Sequence, residues 1–82
     1  MENHIKFIRS TLKKRSCSNI KVGRGHEYFS LFFTTPTGQV YYMSWHDGNY
    51  TYLIRTAEHY KDWRGGSNMW VHPHELESFR LK

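Results

Sequence analysis

The chain has 82 residues, 17% of them aromatic, and a net charge of +5 with histidine neutral. That length supports one domain, residues 1–82, because two cores of half the size would each bury too little apolar surface to be stable. No apolar run of about 18 residues is present, which excludes a membrane-spanning helix, and Cys17 is the single cysteine, which excludes an intrachain disulfide.

Residues 4–15 carry the spacing of an amphipathic helix, with Asn3 as its expected N-cap. At about 100° per residue Ile5, Ile8 and Leu12 share one side, extended by Phe7 and Thr11, while Lys6, Arg9, Lys13 and Lys14 occupy the opposite arc. Ser16-Cys17-Ser18-Asn19 ends the helix, since these side chains compete for backbone hydrogen bonds. A short strand, Ile20–Val22, then leads into Gly23-Arg24-Gly25. Glu27–Thr35 is aromatic and β-favouring and predicts a strand. Thr35-Pro36-Thr37-Gly38 is a turn, with proline presetting φ and glycine accepting the exit geometry. Gln39–His46 is the next strand, Asp47-Gly48 signals a type I′ hairpin, and Asn49–Thr56 completes a three-stranded meander. Residues 57–68 are read mostly as a loop, ended as regular structure by Gly65-Gly66. Met69–His72 is a short edge strand, which would allow a homodimer. Pro73 opens a final helix to Leu81, with Glu75 and Glu77 near its start, Arg80 and Lys82 near its end, and Leu76 and Phe79 docking it.

The fold class expected is therefore α+β: a small antiparallel β-sheet, a three-stranded meander plus one or two short strands. An N-terminal and a C-terminal helix pack mainly on one face. Strand alternation places Phe29, Leu31 and Phe33 on one side of the sheet and Tyr28, Ser30 and Phe32 on the other. Both faces carry aromatics, and two short helices cover only one, so some aromatic surface stays exposed or lightly covered. Tyr28, Tyr42 and Tyr52 are expected on the outside, ring against sheet and hydroxyl in water.

Charge is unevenly divided. Residues 1–25 hold seven Lys or Arg against one Glu, residues 26–82 five against six Asp or Glu. A nearly neutral body with a basic N-terminal pole attracts anionic partners. Lys6, Arg9 and Lys13 fall within about 60° in projection, a stripe suited to a phosphate backbone or an acidic protein patch, and no acid interleaves the arc between residues 4 and 15. The alternative is a solvated face kept for solubility. Lys21 and Arg24, flanked by Gly23 and Gly25, extend the stripe or form a plain bulge. Tyr60, Trp63 and Arg64, beside a Gly-rich segment, suit contacts with a partner, or Trp63 folds back as a lid on the core.

The primary expectation is a non-catalytic binding protein contacting nucleic acid through Lys6, Arg9, Lys13, Lys14, Lys21, Arg24, Tyr60, Trp63 and Arg64. The alternative is an accessory protein of the phage or mobile-element type that docks on an acidic surface of a nucleic-acid-handling protein, such as a CRISPR-type defence nuclease. That is an analogy of size and character. Six histidines raise metal binding, but His72-Pro73-His74-Glu75 and the scattered Cys17, His26, His46 and His59 lack a ligand spacing, so neither metal nor cofactor is expected.

Gly25-His26 ahead of a strand, after an N-terminal helix, resembles the small HicA-type toxin ribonucleases over residues 5–45. That family folds as helix, three strands and helix and uses one histidine, so the resemblance implies His26 as a general base. The extra strand and the long Gly-rich loop depart from the family pattern. The opening Met1-Glu2-Asn3-His4 lacks the basic-then-apolar order of a secretory signal. A small domain without disulfides fits a reducing compartment, so a cytoplasmic location is expected and the glycosylation pattern at Asn49-Tyr50-Thr51 is a chance match.

Overall fold

Helix α1 spans Glu2–Lys14 and buries Ile5, Ile8, Thr11 and Leu12, the apolar side set by the i, i+3, i+7 spacing. It begins before Asn3, so Asn3 is not its cap; Glu2 in the first turn complements the helix dipole instead. Phe7 stays 38% exposed at the rim of the apolar side. At the other end Cys17 N–H donates to the Leu12 carbonyl and Ser16 N–H to that of Lys13, both at 3.0 Å, with Ser16 at φ 62°. That is a Schellman closure with serine in the left-handed position usually held by glycine. Cys17 is thereby turned into the core, where burial pushes its thiol pKa up.

The computed structural model describes residues 2–64 and 66–82, so Gly65 of the Gly65-Gly66 pair lies outside the described residues. These form strands β1 (Ser18–Gly25), β2 (Tyr28–Thr34), β3 (Val40–His46), β4 (Tyr52–Ala57) and β5 (Met69–Val71). All neighbours are antiparallel in the order β1-β2-β3-β4-β5, a simple meander. Strand β1 is longer than the expected Ile20–Val22: Gly23-Arg24-Gly25 belongs to it, not to a loop. It contains a register shift between Ser18 and Lys21, where Asn19 adopts φ 51°, as an extra residue in a bulge does. His26 and Glu27 form the two-residue turn into β2, so His26 is at the tip of a hairpin and not at a strand start.

The turn after β2 is as its sequence indicates: Gly38 N–H donates to Thr35 carbonyl at 2.9 Å, with Gly38 at φ 91°. The Asp47-Gly48 connection is not a type I′ hairpin. Only Gly48 has positive φ, and five residues separate β3 from β4. The longer loop lets Trp45 Nε1–H reach the Asn49 carbonyl at 3.1 Å.

Phe29, Leu31, Phe33, Tyr41, Met43, Trp45, Tyr52 and Ile54 form the inner face, sealed by α1 and by Leu76 of the C-terminal segment. Tyr52 is a correction: it is fully buried, not outside, because β4 starts at Tyr52 and places it with Ile54 on the core side. Its hydroxyl shares a 2.8 Å hydrogen bond with His4 Nδ1, whose ring stacks on Trp45 at 4.5 Å.

The expected C-terminal helix over 73–81 is reduced to a 3₁₀ turn, Pro73–Glu75. Nine residues containing two serine or histidine positions carry little helical stability of their own. The chain end is also held in another shape. Arg15 donates to the Leu76 carbonyl at 3.0 Å and the Phe79 carbonyl at 2.7 Å. The Lys82 carbonyl accepts the hydroxyls of Thr35 and Thr37 at 2.8 and 2.7 Å, and its N–H donates to Tyr41.

Candidate functional site

Residues Lys6, Arg9, Lys13 and Lys14 are all exposed on α1. Because the helix starts at Glu2, that carboxylate projects into the basic arc, between Arg9 and Lys13 at about 100° per residue. It is engaged by Arg24, Nε to Oε1 at 2.7 Å and Nη2 to Oε2 at 3.3 Å. The hydrogen bond lowers the Glu2 pKa and raises that of Arg24. Arg24 is therefore a neutralised partner of the helix and adds no free charge to the stripe. The second cation of the basic end to be consumed internally is Arg15, through the carbonyls of the C-terminal segment and the Phe79 ring, 5.1 Å from its Cζ.

Lys21 and Arg24 do not extend one stripe. Three residues apart on a strand, they face opposite sides of the sheet: Arg24 pairs with inward-facing Phe29, and Lys21 with outward-facing Phe32. On the outer face one cross-strand row reads Lys21, Phe32, Tyr42, Arg55. The segment after β4 folds back over this row. Tyr60 and Trp63 meet the Phe32 ring edge-on at 5.4 and 5.2 Å, and Trp63 meets Tyr42 at 5.8 Å. This cover explains how Phe32 is buried on a face that no helix reaches.

The loop has its own internal order. The Asp62 carboxylate accepts the backbone N–H of Glu58 at 2.9 Å and of Arg64 at 3.0 Å. Gly66 N–H donates to the Thr56 carbonyl at 2.7 Å. Lys61 sits at φ 71°, a left-handed backbone rare for lysine. Its ammonium lies 5.5 Å from the Tyr60 ring centre, and that of Lys21 lies 5.1 Å from the same ring. Two cations from distant parts of the chain thus share one aromatic ring. Tyr60 and Trp63 remain 46% and 57% exposed, so the lid covers the sheet and still offers ring surface to solvent.

Beside the lid the sheet is open. Gly23, Ser30 and Phe32 floor a hollow of about 120 Å³, with Tyr60 and Trp63 as its wall and Lys21 and Lys61 at its margin. A broader cleft of about 900 Å³ lies on the other side of Trp63, bordered by Gln39, Glu58, His59 and Arg64. Beyond the hollow, Tyr28 stacks on His46 at 5.3 Å, and its ring occupies the space that a Cβ at Gly25 would need.

Of the residues singled out from sequence, the structure brings Lys21, Tyr60 and Trp63 together and puts Arg64 on the adjoining cleft. It leaves Lys6, Arg9, Lys13 and Lys14 on α1, and Arg24 in an ion pair. Sequence reasoning missed Lys61, Arg55, Phe32 and Tyr42 as members of the same cluster. The alternation of β2, β3 and β4 carried that signal, since it sets Phe32, Tyr42 and Arg55 in one row. The His26 side chain is 93% exposed, 3.6 Å from the Glu27 carboxylate. Among the described residues no three His, Cys, Asp or Glu side chains converge as metal ligands would. The only helix of the described residues with several turns, α1, is not long and apolar enough to cross a membrane.

No protein-family model matches the chain, and no curated protein and no solved structure matches it. The residues themselves supply the argument for function.

Proposed function

We propose that this chain is a nucleic-acid-binding protein that works without chemistry of its own. The observation that supports the reading best is the cluster on the outer sheet face, where Lys21 and Lys61 share the ring of exposed Tyr60 beside exposed Trp63. Phosphates are attracted by cations and base faces stack on aromatic rings, and single-strand binders combine the two. The exposed Lys6, Arg9 and Lys13 add a second, sequence-independent phosphate contact. The test is binding of a fluorescent oligonucleotide as a function of salt. Changing Lys6, Arg9 and Lys13 together to Glu should weaken binding steeply and flatten the salt dependence by about 0.7 in log–log slope per lost single-strand phosphate contact. Affinity that ignores both salt and the triple change would remove this reading.

A second reading, an accessory protein of the phage type that docks on another protein, draws on β5. Trp70 is 60% exposed there, next to exposed Met69 on a short edge strand, and an exposed tryptophan is a common centre of protein contacts. Under that reading, Trp70→Ala abolishes capture of a defined partner from nuclease-treated lysate, while the triple Glu change acts on association rate alone.

A further inference from the structure

We infer that the hollow between Gly23 and Trp63 is a slot for one unpaired base, which makes the protein selective for single-stranded over duplex nucleic acid. The inference rests on the nucleic-acid reading and names the form of nucleic acid that the outer face takes.

Three features carry it. The first is size: the hollow measures about 120 Å³, somewhat less than the ~150 Å³ apolar cavity that accommodates a benzene ring, so it has room for no more than one ring seated against its wall and none for a base pair. The second is lining: Trp63 presents exposed aromatic surface beside a floor closed by buried Phe32, while Gly23 and Ser30 contribute almost no side-chain bulk. An added Cβ at Gly23 would meet nothing nearer than Ser30 Oγ at 3.7 Å, and Gly23 has no positive φ. Glycine is therefore not demanded here by the backbone, and its consequence is the open floor. The third is charge: Lys21 and Lys61 are held at the margin by Tyr60, where the phosphate of a nucleotide in the slot would lie. In a duplex both faces of every base are covered by neighbours and only edges are offered, so a slot that stacks on a base face requires an unpaired strand.

The experiment compares fluorescence anisotropy of labelled oligo(dT) and oligo(U), each about 12 nucleotides long, with a blunt duplex of similar length. It uses the wild type, Gly23→Val and Trp63→Ala. Valine suits a strand and its Cβ has room at position 23, so Gly23→Val should keep the fold and occupy the slot; Trp63→Ala removes an exposed wall and uncovers Phe32 and Tyr42 on the outer face, leaving the inner-face core in place. The expected result is a clear single-strand preference in the wild type and a loss of about tenfold or more in single-strand affinity in each variant, with the weaker duplex binding unchanged in Gly23→Val. If the wild type binds single strands and duplex alike and Gly23→Val changes neither, the slot is refuted while the nucleic-acid reading stands. If the wild type binds none of the three probes, both are refuted.

Discussion

The carbonyl of Trp63 accepts a 2.6 Å hydrogen bond from Arg55, whose guanidinium lies 4.5 Å from the centre of the Tyr42 ring. Arg55 thus ties the loop lid to the sheet it covers, and it does so although its Nε is buried without an acceptor among the described residues. The lid carries Tyr60, Lys61 and Trp63, so its attachment sets the shape of both the hollow and the cleft.

Replacing Arg55 with Ala should therefore loosen the lid. A hydrogen bond to a charged donor contributes about 1.5–3 kcal/mol. Amide exchange across residues 58–64 should accelerate, with core amides of β2 and β3 little changed, and single-strand affinity should drop. Arg55→Lys should restore only part of it, because an ammonium does not stack on Tyr42 as a planar guanidinium does. Unchanged exchange in the lid would show that Tyr60 and Trp63 hold it without Arg55.

Arg15 makes a contrasting prediction. It is one of the seven cations of the basic end, yet its guanidinium is committed to the Leu76 and Phe79 carbonyls and the Phe79 ring. Arg15→Ala should destabilise the domain by about 2–3 kcal/mol in urea unfolding. Under conditions where the variant is folded, its oligonucleotide affinity should match the wild type. A fall in affinity as large as that of the helix-face cations would place Arg15 in the interface.

Tyr52 links stability to alkaline pH. Burial pushes its hydroxyl up to about 12 from an ordinary value of 10.0. A group whose folded-state pKa lies above its unfolded value contributes its stability fully below pH 10.0, and that contribution is lost as pH climbs towards 12. Tyr52→Phe removes this dependence along with the hydrogen bond to His4, worth about 1 kcal/mol. The variant should be the less stable protein at about pH 8 and should close the gap, or overtake, by about pH 11. A constant difference in urea midpoint at both pH values would show that the Tyr52 hydroxyl ionises in the native state as easily as in the unfolded one.

Elements governed by near neighbours were legible in the chain. The i, i+3, i+7 spacing of Ile5, Ile8 and Leu12 marks α1, and alternation in β2 and β3 separates Phe29, Leu31 and Phe33 from Phe32. The turn at Thr35–Gly38 follows from proline and glycine chemistry. The errors arose where distant partners compete with local preference. Pro73–Leu81 has a capping pattern for a helix, but Arg15, Thr35, Thr37 and Tyr41 hold that segment in another shape. Tyr52 has the composition of a surface tyrosine, and the length of the β3–β4 loop turns it inward towards His4. The resemblance to HicA-type ribonucleases rested on Gly25-His26 and helix-strand order; here five strands follow α1 and His26 caps a hairpin.

The candidate site divides in the same way. Sequence alone determined that α1 has an apolar and a basic side, because both follow from a local period, and that aromatics must lie on both faces of the sheet. Only the tertiary structure decided that Lys21 and Arg24 part company, one to the ring of Tyr60 and one to Glu2, and that the loop closes over Phe32 and Tyr42. The physical reason is that the charge of a side chain is a property of its residue, whereas its availability depends on which distant groups the fold brings to it.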